Sequence, residues 1–71
     1  LHNAMIQFSV NDQILSLEKA IDLNSLLEHI QSNKNGIAIA VNQNIIAKDD
    51  WPKTQIKNDD QILIIKATQG G

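Results

Sequence analysis

The sequence predicts an α+β domain, one helix packed on a four- or five-stranded mixed sheet. Three observations lead there. Apolar residues alternate or run together at 5–10, 13–18, 37–41 and 61–66, in segments of strand length. One stretch alone repeats at helical spacing: Leu23, Leu26, Leu27 and Ile30, at i, i+3, i+4 and i+7. The last strand is apolar on both faces, which places it in the middle of the sheet beside the first.

Each element has its own grounds. In 5–10, Ile6, Phe8 and Val10 point one way and Met5, Gln7 and Ser9 the other. Asn11-Asp12 is a turn pair, since both residues tolerate left-handed backbone, so 13–18 returns as the second arm of a hairpin. Leu15 and Leu17 are its inward residues. Asp22 reads as a helix N-cap whose carboxylate accepts from the first-turn amides. The helix should run about three turns, and Asn35 or Gly36 should take the positive φ that ends it. Strand 37–41 carries small residues on one face, which leaves room for the helix or for a neighbouring chain. Asn42-Gln43-Asn44 is a turn, and Ile45-Ile46 a very short strand. Residues 48–56 read as a loop, because Pro52 disfavours helical geometry at Trp51, and Trp51 should plug that loop onto the core edge. Asn58-Asp59-Asp60 is a polar turn into 61–66. A right-handed crossover through the helix sets the third strand parallel to the second. The arrangement that satisfies this order is the β-grasp fold, the ubiquitin-like roll.

The 71 residues make one domain, with apolar residues at 42% and a net charge of −2. Leu1-His2-Asn3-Ala4 fits no element and reads as a vector remnant before Met5. The domain is then 5–66, and 67–71 form a flexible C-terminal tail ending Gly70-Gly71. The chain has no cysteine, so disulfides, thiolate zinc sites and a cysteine nucleophile are excluded. Its six basic residues are scattered lysines and its aromatics are Phe8 and Trp51, a poor match to nucleic-acid binding. No apolar run approaches the ~20 residues of a membrane span. The expected location is the cytoplasm, with neither nucleic acid nor membrane as partner.

The stretch Ala67-Thr68-Gln69-Gly70-Gly71 follows directly on the most apolar strand. Glycine has no Cβ, so its backbone can enter a channel too narrow for other residues. Five extended residues reach at most roughly 17 Å. Such an end is suited to placing a terminal carboxylate inside another protein. Ile62 and Ile64 share one face of the last strand, and Leu63 and Ile65 the other. If the first pair faces the helix, Leu63 and Ile65 form an apolar patch on the open face, a candidate docking surface.

Taken together, the strand order, the helix signature Asp22-Leu23-Asn24-Ser25-Leu26-Leu27, Ala40-Val41-Asn42 and the terminal Gly70-Gly71 resemble the ThiS sulfur carriers of thiamine biosynthesis. Asn11-Asp12-Gln13, Trp51 and Asp60-Gln61-Ile62-Leu63 match as well, and the resemblance runs from Met5 to Gly71. Asp59 departs from the pattern, standing where the family often has glycine. The resemblance implies a carrier rather than an enzyme. A ThiF-like adenylating enzyme would activate the Gly71 carboxylate with MgATP, and a sulfur donor protein would help convert it to a thiocarboxylate. A ThiG-like thiazole synthase would receive the sulfur. Thr68, Gln69 and Gly70 are the tail that presents Gly71. A MoaD-like carrier for molybdopterin synthesis, a ubiquitin-like modifier and a plain interaction module remain open as alternatives.

No catalytic residue and no metal site is assigned. Asp49-Asp50 and Asp59-Asp60 read as turn and cap residues, since a hard-metal site needs more ligands at fixed spacing. His29 reads as a solvated helix residue, and the serines have no visible base.

Overall fold

Two asparagine turns organise the sheet. Strands β1 (Ile6–Val10) and β2 (Gln13–Leu17) are joined by Asn11 (φ 50°) and Asp12 (φ 69°), both left-handed. Strands β3 (Ile37–Val41) and β4 (Asn44–Ile46) are joined in the same way by Asn42 (φ 51°) and Gln43 (φ 74°). Two-residue turns of this hand match the twist of the strands they connect. The computed structural model describes residues 5–66. The expected remnant at 1–4 and tail at 67–71 lie outside the described residues.

Strand β5 (Gln61–Lys66) joins the two hairpins into one five-stranded sheet of order β2-β1-β5-β3-β4. It lies parallel to β1, with Val10 opposite Ile62, and antiparallel to β3, with Ile39 opposite Ile64. The strand with two apolar faces is therefore the central one, next to the first. β3 runs in the direction of β2, as the crossover predicts, with β1 and β5 between them. This is the β-grasp arrangement. At the start of β5, the Gln61 N–H donates to Asn42 Oδ1 (2.9 Å) and Asn42 Nδ2 donates to Asp60 Oδ1 (2.9 Å). The turn before it closes with the Asp60 N–H donating to Lys57 O (3.1 Å). Asp59 occupies the third position of that turn at φ 71°, where glycine is usual and aspartate is tolerated.

Helix α1 (Leu23–His29) crosses one face of the sheet. Asp22 caps it: the Ser25 N–H donates to Asp22 Oδ1 at 2.6 Å. Leu23, Leu26 and Leu27 are fully buried, each stabilising the fold by about 1.5–3 kcal/mol. The helix is two turns long rather than three, and Ile30 is its C-cap. Gln31, at φ 58°, takes the left-handed position expected of Asn35 or Gly36. The Ser32 N–H then donates to Leu27 O (2.8 Å) and the Gln31 N–H to Glu28 O (3.1 Å), a Schellman closure. Gly36 (φ 69°) is left-handed too, but it serves the turn into β3.

The segment expected as a loop holds a 3₁₀ helix, Lys48–Lys53, with Pro52 inside it. At its two ends Asp50 N–H donates to Ala47 O and Thr54 N–H to Trp51 O, so neither bond needs the N–H that Pro52 lacks. Trp51 is inside the core rather than at its edge, 2% exposed, and its Nε1 donates to Ile46 O (3.0 Å). Residues 54–56 pair with the start of α1: Leu23 N–H donates to Thr54 O and Ile56 N–H to Ile21 O. Phe8, Ile39, Trp51, Ile56 and Ile62 close the core with the three leucines. Among the described residues no helix is long and apolar enough to cross a membrane.

Candidate functional site

Residues 67–71 follow β5 directly in sequence, so the search for a site begins at β5. Ile62 is buried and Ile64 packs partly buried against the same core, which turns the alternate residues outward. Leu63 is 48% exposed and Ile65 44% exposed on the face away from α1. Both predicted docking residues thus sit together on the open face.

The neighbouring strands extend this patch. Ala40 stands opposite Leu63 and Ala38 opposite Ile65 on β3, and Ile45 of β4 stands opposite Ala40. Ile45 is 66% exposed, whereas Ala40 is buried between its two longer neighbours. The small residues of β3 therefore leave room on the open face, not under the helix. Ile14 of β2, 68% exposed, lies on the same face opposite Ser9. Lys66 is the one charged residue within the five strands, and it stands opposite Ile37, whose side packs on the core. The open face of the sheet is accordingly uncharged, with an apolar centre over β3, β4 and β5.

A second feature lies at the other flank of β5. The Ile64 N–H donates to Asn11 Oδ1 (2.8 Å), and Asn11 Nδ2 donates to Ile64 O (3.3 Å). The turn residue therefore reaches across to the last strand.

The other sequence candidates stay apart. His29 is exposed in the last turn of α1, and beside it Lys34 Nζ pairs with Glu28 Oε2 at 3.0 Å. Asp49 and Asp50 sit in the first turn of the 3₁₀ helix, where negative charge suits the free amides. Asp60 accepts from the Lys57 N–H (2.8 Å) as well as from Asn42. Among the described residues no three histidine, cysteine, aspartate or glutamate side chains gather as a metal would require. Thr68, Gln69, Gly70 and Gly71 lie outside the described residues. Sequence reasoning missed Ile14, Ile45 and the carboxamide of Asn11. For Ile14 the signal was there, because the first hairpin's register follows from its two-residue turn. For Ile45 it was not, because 42–44 reads as a three-residue turn whereas Asn44 opens β4.

A model of the ThiS family matches residues 3–71. The chain belongs to the ThiS family. It is 30% identical over 66 residues to the sulfur carrier protein ThiS of Escherichia coli (strain K12), covering 93% of this chain and all of that protein. Its fold is similar to the crystal structure of the thiamine biosynthesis protein ThiS from Geobacter metallireducens, with a TM-score of 0.81 at 14% identity. That match covers 93% of this chain and 100% of the other. The solution structure of a thiamine biosynthesis protein from the same organism matches with a TM-score of 0.74 at 14% identity, over 93% of this chain and 88% of that one. These two likenesses, at such low identity, speak to the fold.

Proposed function

We propose that this chain is a sulfur carrier of thiamine biosynthesis that works through the carboxylate of Gly71. Membership of the ThiS family, with a carrier of that name matched over its whole length, carries this reading. The exposed, uncharged face beside the last strand supports it, since a carrier has to be held by an enzyme while its tail reacts.

The chemistry follows from the carboxyl group. With an ordinary pKa near 3.5 it is an anion at neutral pH and a poor electrophile. An oxygen of the Gly71 carboxylate attacks the α-phosphorus of ATP; an acyl–phosphate bond forms and pyrophosphate leaves. A sulfur nucleophile at the oxidation level of sulfide then attacks the carbonyl carbon, AMP departs with the bonding electrons, and a thiocarboxylate remains. The adenylating partner supplies Mg²⁺, phosphate contacts and the route for sulfur. The carrier supplies the acyl group and the surface by which it is held, so it is the substrate of one enzyme and the sulfur donor to a thiazole synthase. Leu63 and Ile65 dock on the adenylating enzyme, and Thr68, Gln69 and Gly70 lead Gly71 to the nucleotide.

Intact-protein mass spectrometry tests this after incubation with a ThiF-like adenylating enzyme, MgATP and a sulfur source. The expected result is a mass gain equal to the difference between sulfur and oxygen, confined to the C-terminal peptide and absent when Gly70-Gly71 is deleted. An unchanged mass with an active enzyme, or a lysine conjugate in its place, would overturn the assignment.

A further inference from the structure

We infer that Asn11 is a positioning residue for activation of the tail, acting through the backbone of Ile64. This rests on the sulfur-carrier reading and adds to it the residue that aims the last strand.

The reason lies in the unequal lengths of the central strands. β1 pairs with β5 at Ser9–Gln61 and Val10–Ile62 and then turns away at Asn11, while β5 continues to Lys66. Backbone groups on a strand alternate in direction. Those of Ile62 and Ile64 face the β1 flank, and those of Leu63 and Ile65 face β3. The Asn11 N–H makes the last main-chain bond on the β1 flank, donating to Ile62 O at 2.9 Å. One step further, where β1 supplies no backbone, the Asn11 carboxamide takes over. It accepts from the Ile64 N–H at 2.8 Å and donates to Ile64 O at 3.3 Å, as the peptide group of a neighbouring strand would. These partners are 53 residues apart in sequence.

Two requirements meet at this position. The residue must accept φ 50° in a tight turn, and its side chain must present a donor and an acceptor at peptide spacing. Asparagine meets both. With the amide in place, β5 is held on both flanks as far as Ile64, three residues before Ala67. Without it, the second half of β5 is held on the β3 side only and behaves as an edge, so the position of Lys66, the point from which the chain goes on, is less well fixed. An end that must meet a nucleotide at bonding distance is sensitive to such a change.

The test compares two glycine variants. Asn11→Gly keeps the turn, since glycine accepts positive φ, and deletes the carboxamide. Asn42→Gly removes the corresponding amide at the start of β5, the end remote from the tail. Hydrogen exchange read by NMR should show the Ile64 amide exchanging about tenfold faster in Asn11→Gly, with the Leu63 amide little changed. ATP–pyrophosphate exchange with a ThiF-like enzyme should show kcat reduced about tenfold and KM for the carrier within about twofold, because the docking face is intact. Asn42→Gly should lose similar thermal stability and keep wild-type kcat. If Asn11→Gly does not fold, Asn11→Asp, which keeps an acceptor for the Ile64 N–H but sets a second oxygen against Ile64 O, takes its place with kcat and KM as the readouts. A wild-type kcat in the Asn11 variant, or an equal loss in Asn42→Gly, would sink the positioning role and leave the carrier reading standing. A wild-type protein that the enzyme does not adenylate would sink both.

Discussion

Single residues at the two ends of α1 work in opposite senses. Asp22 accepts the Ser25 N–H at 2.6 Å and relieves an amide that has no partner within the helix. Asp22→Ala should cost about 1 kcal/mol and lower the melting temperature by about 4–8 °C in a domain of this size. Gln31 holds φ 58° with no Asn- or Gly-like tolerance of that region, and the Schellman closure depends on it. Gln31→Gly should therefore stabilise the fold by about 1 kcal/mol, seen as a higher midpoint in urea with an unchanged slope. A lower midpoint would mean that the glutamine side chain contributes something its backbone angle conceals. The N-cap was legible because an aspartate before a periodic apolar run has one common use. The C-terminus was not, because glutamine carries no signal for left-handed backbone, and Asn35-Gly36 nearby carries a strong one.

The elements differ in how far pattern alone could place them. Strand β5 was legible in its place and its two faces: two apolar faces imply a central strand and split Ile62/Ile64 from Leu63/Ile65, but which pair faces the helix came only from the packing. Ile65→Asp should leave thermal unfolding close to wild type and weaken binding to the adenylating enzyme by at least about tenfold, as measured by calorimetric titration. Loss of the folded state would instead place Ile65 in the core. The 3₁₀ helix was not legible, since proline argues against a helix in general and only a short tertiary-stabilised turn escapes that rule. Trp51 explains the escape: burying its ring while its Nε1 donates to Ile46 O fixes the segment whatever its local preference. The carboxamide bonds of Asn11 were beyond reach for a different reason. They join residues 53 apart, and no local pattern reports how far β5 outruns β1.

For the molecule as a whole, the decisive feature is that the last strand pairs with the first and fills the centre of the sheet. Closing that pair spans most of the chain, an arrangement that folds slowly compared with one built from local contacts. A chain ending at Asp60 would have its two hairpins and its helix but no strand to join the hairpins into one sheet. It should show no cooperative thermal transition by circular dichroism, and a cooperative one would mean that the hairpins with α1 are a domain on their own. In the cell, the consequence concerns synthesis. A nascent chain cannot complete this sheet until 61–66 have cleared the ribosome, so folding waits for the stretch next to the end proposed to react. Prematurely terminated chains lacking that stretch should then remain unfolded and open to proteases. An adenylating enzyme that binds the open face would then meet only chains translated at least as far as Lys66, and the fold itself would keep truncated copies from competing for activation.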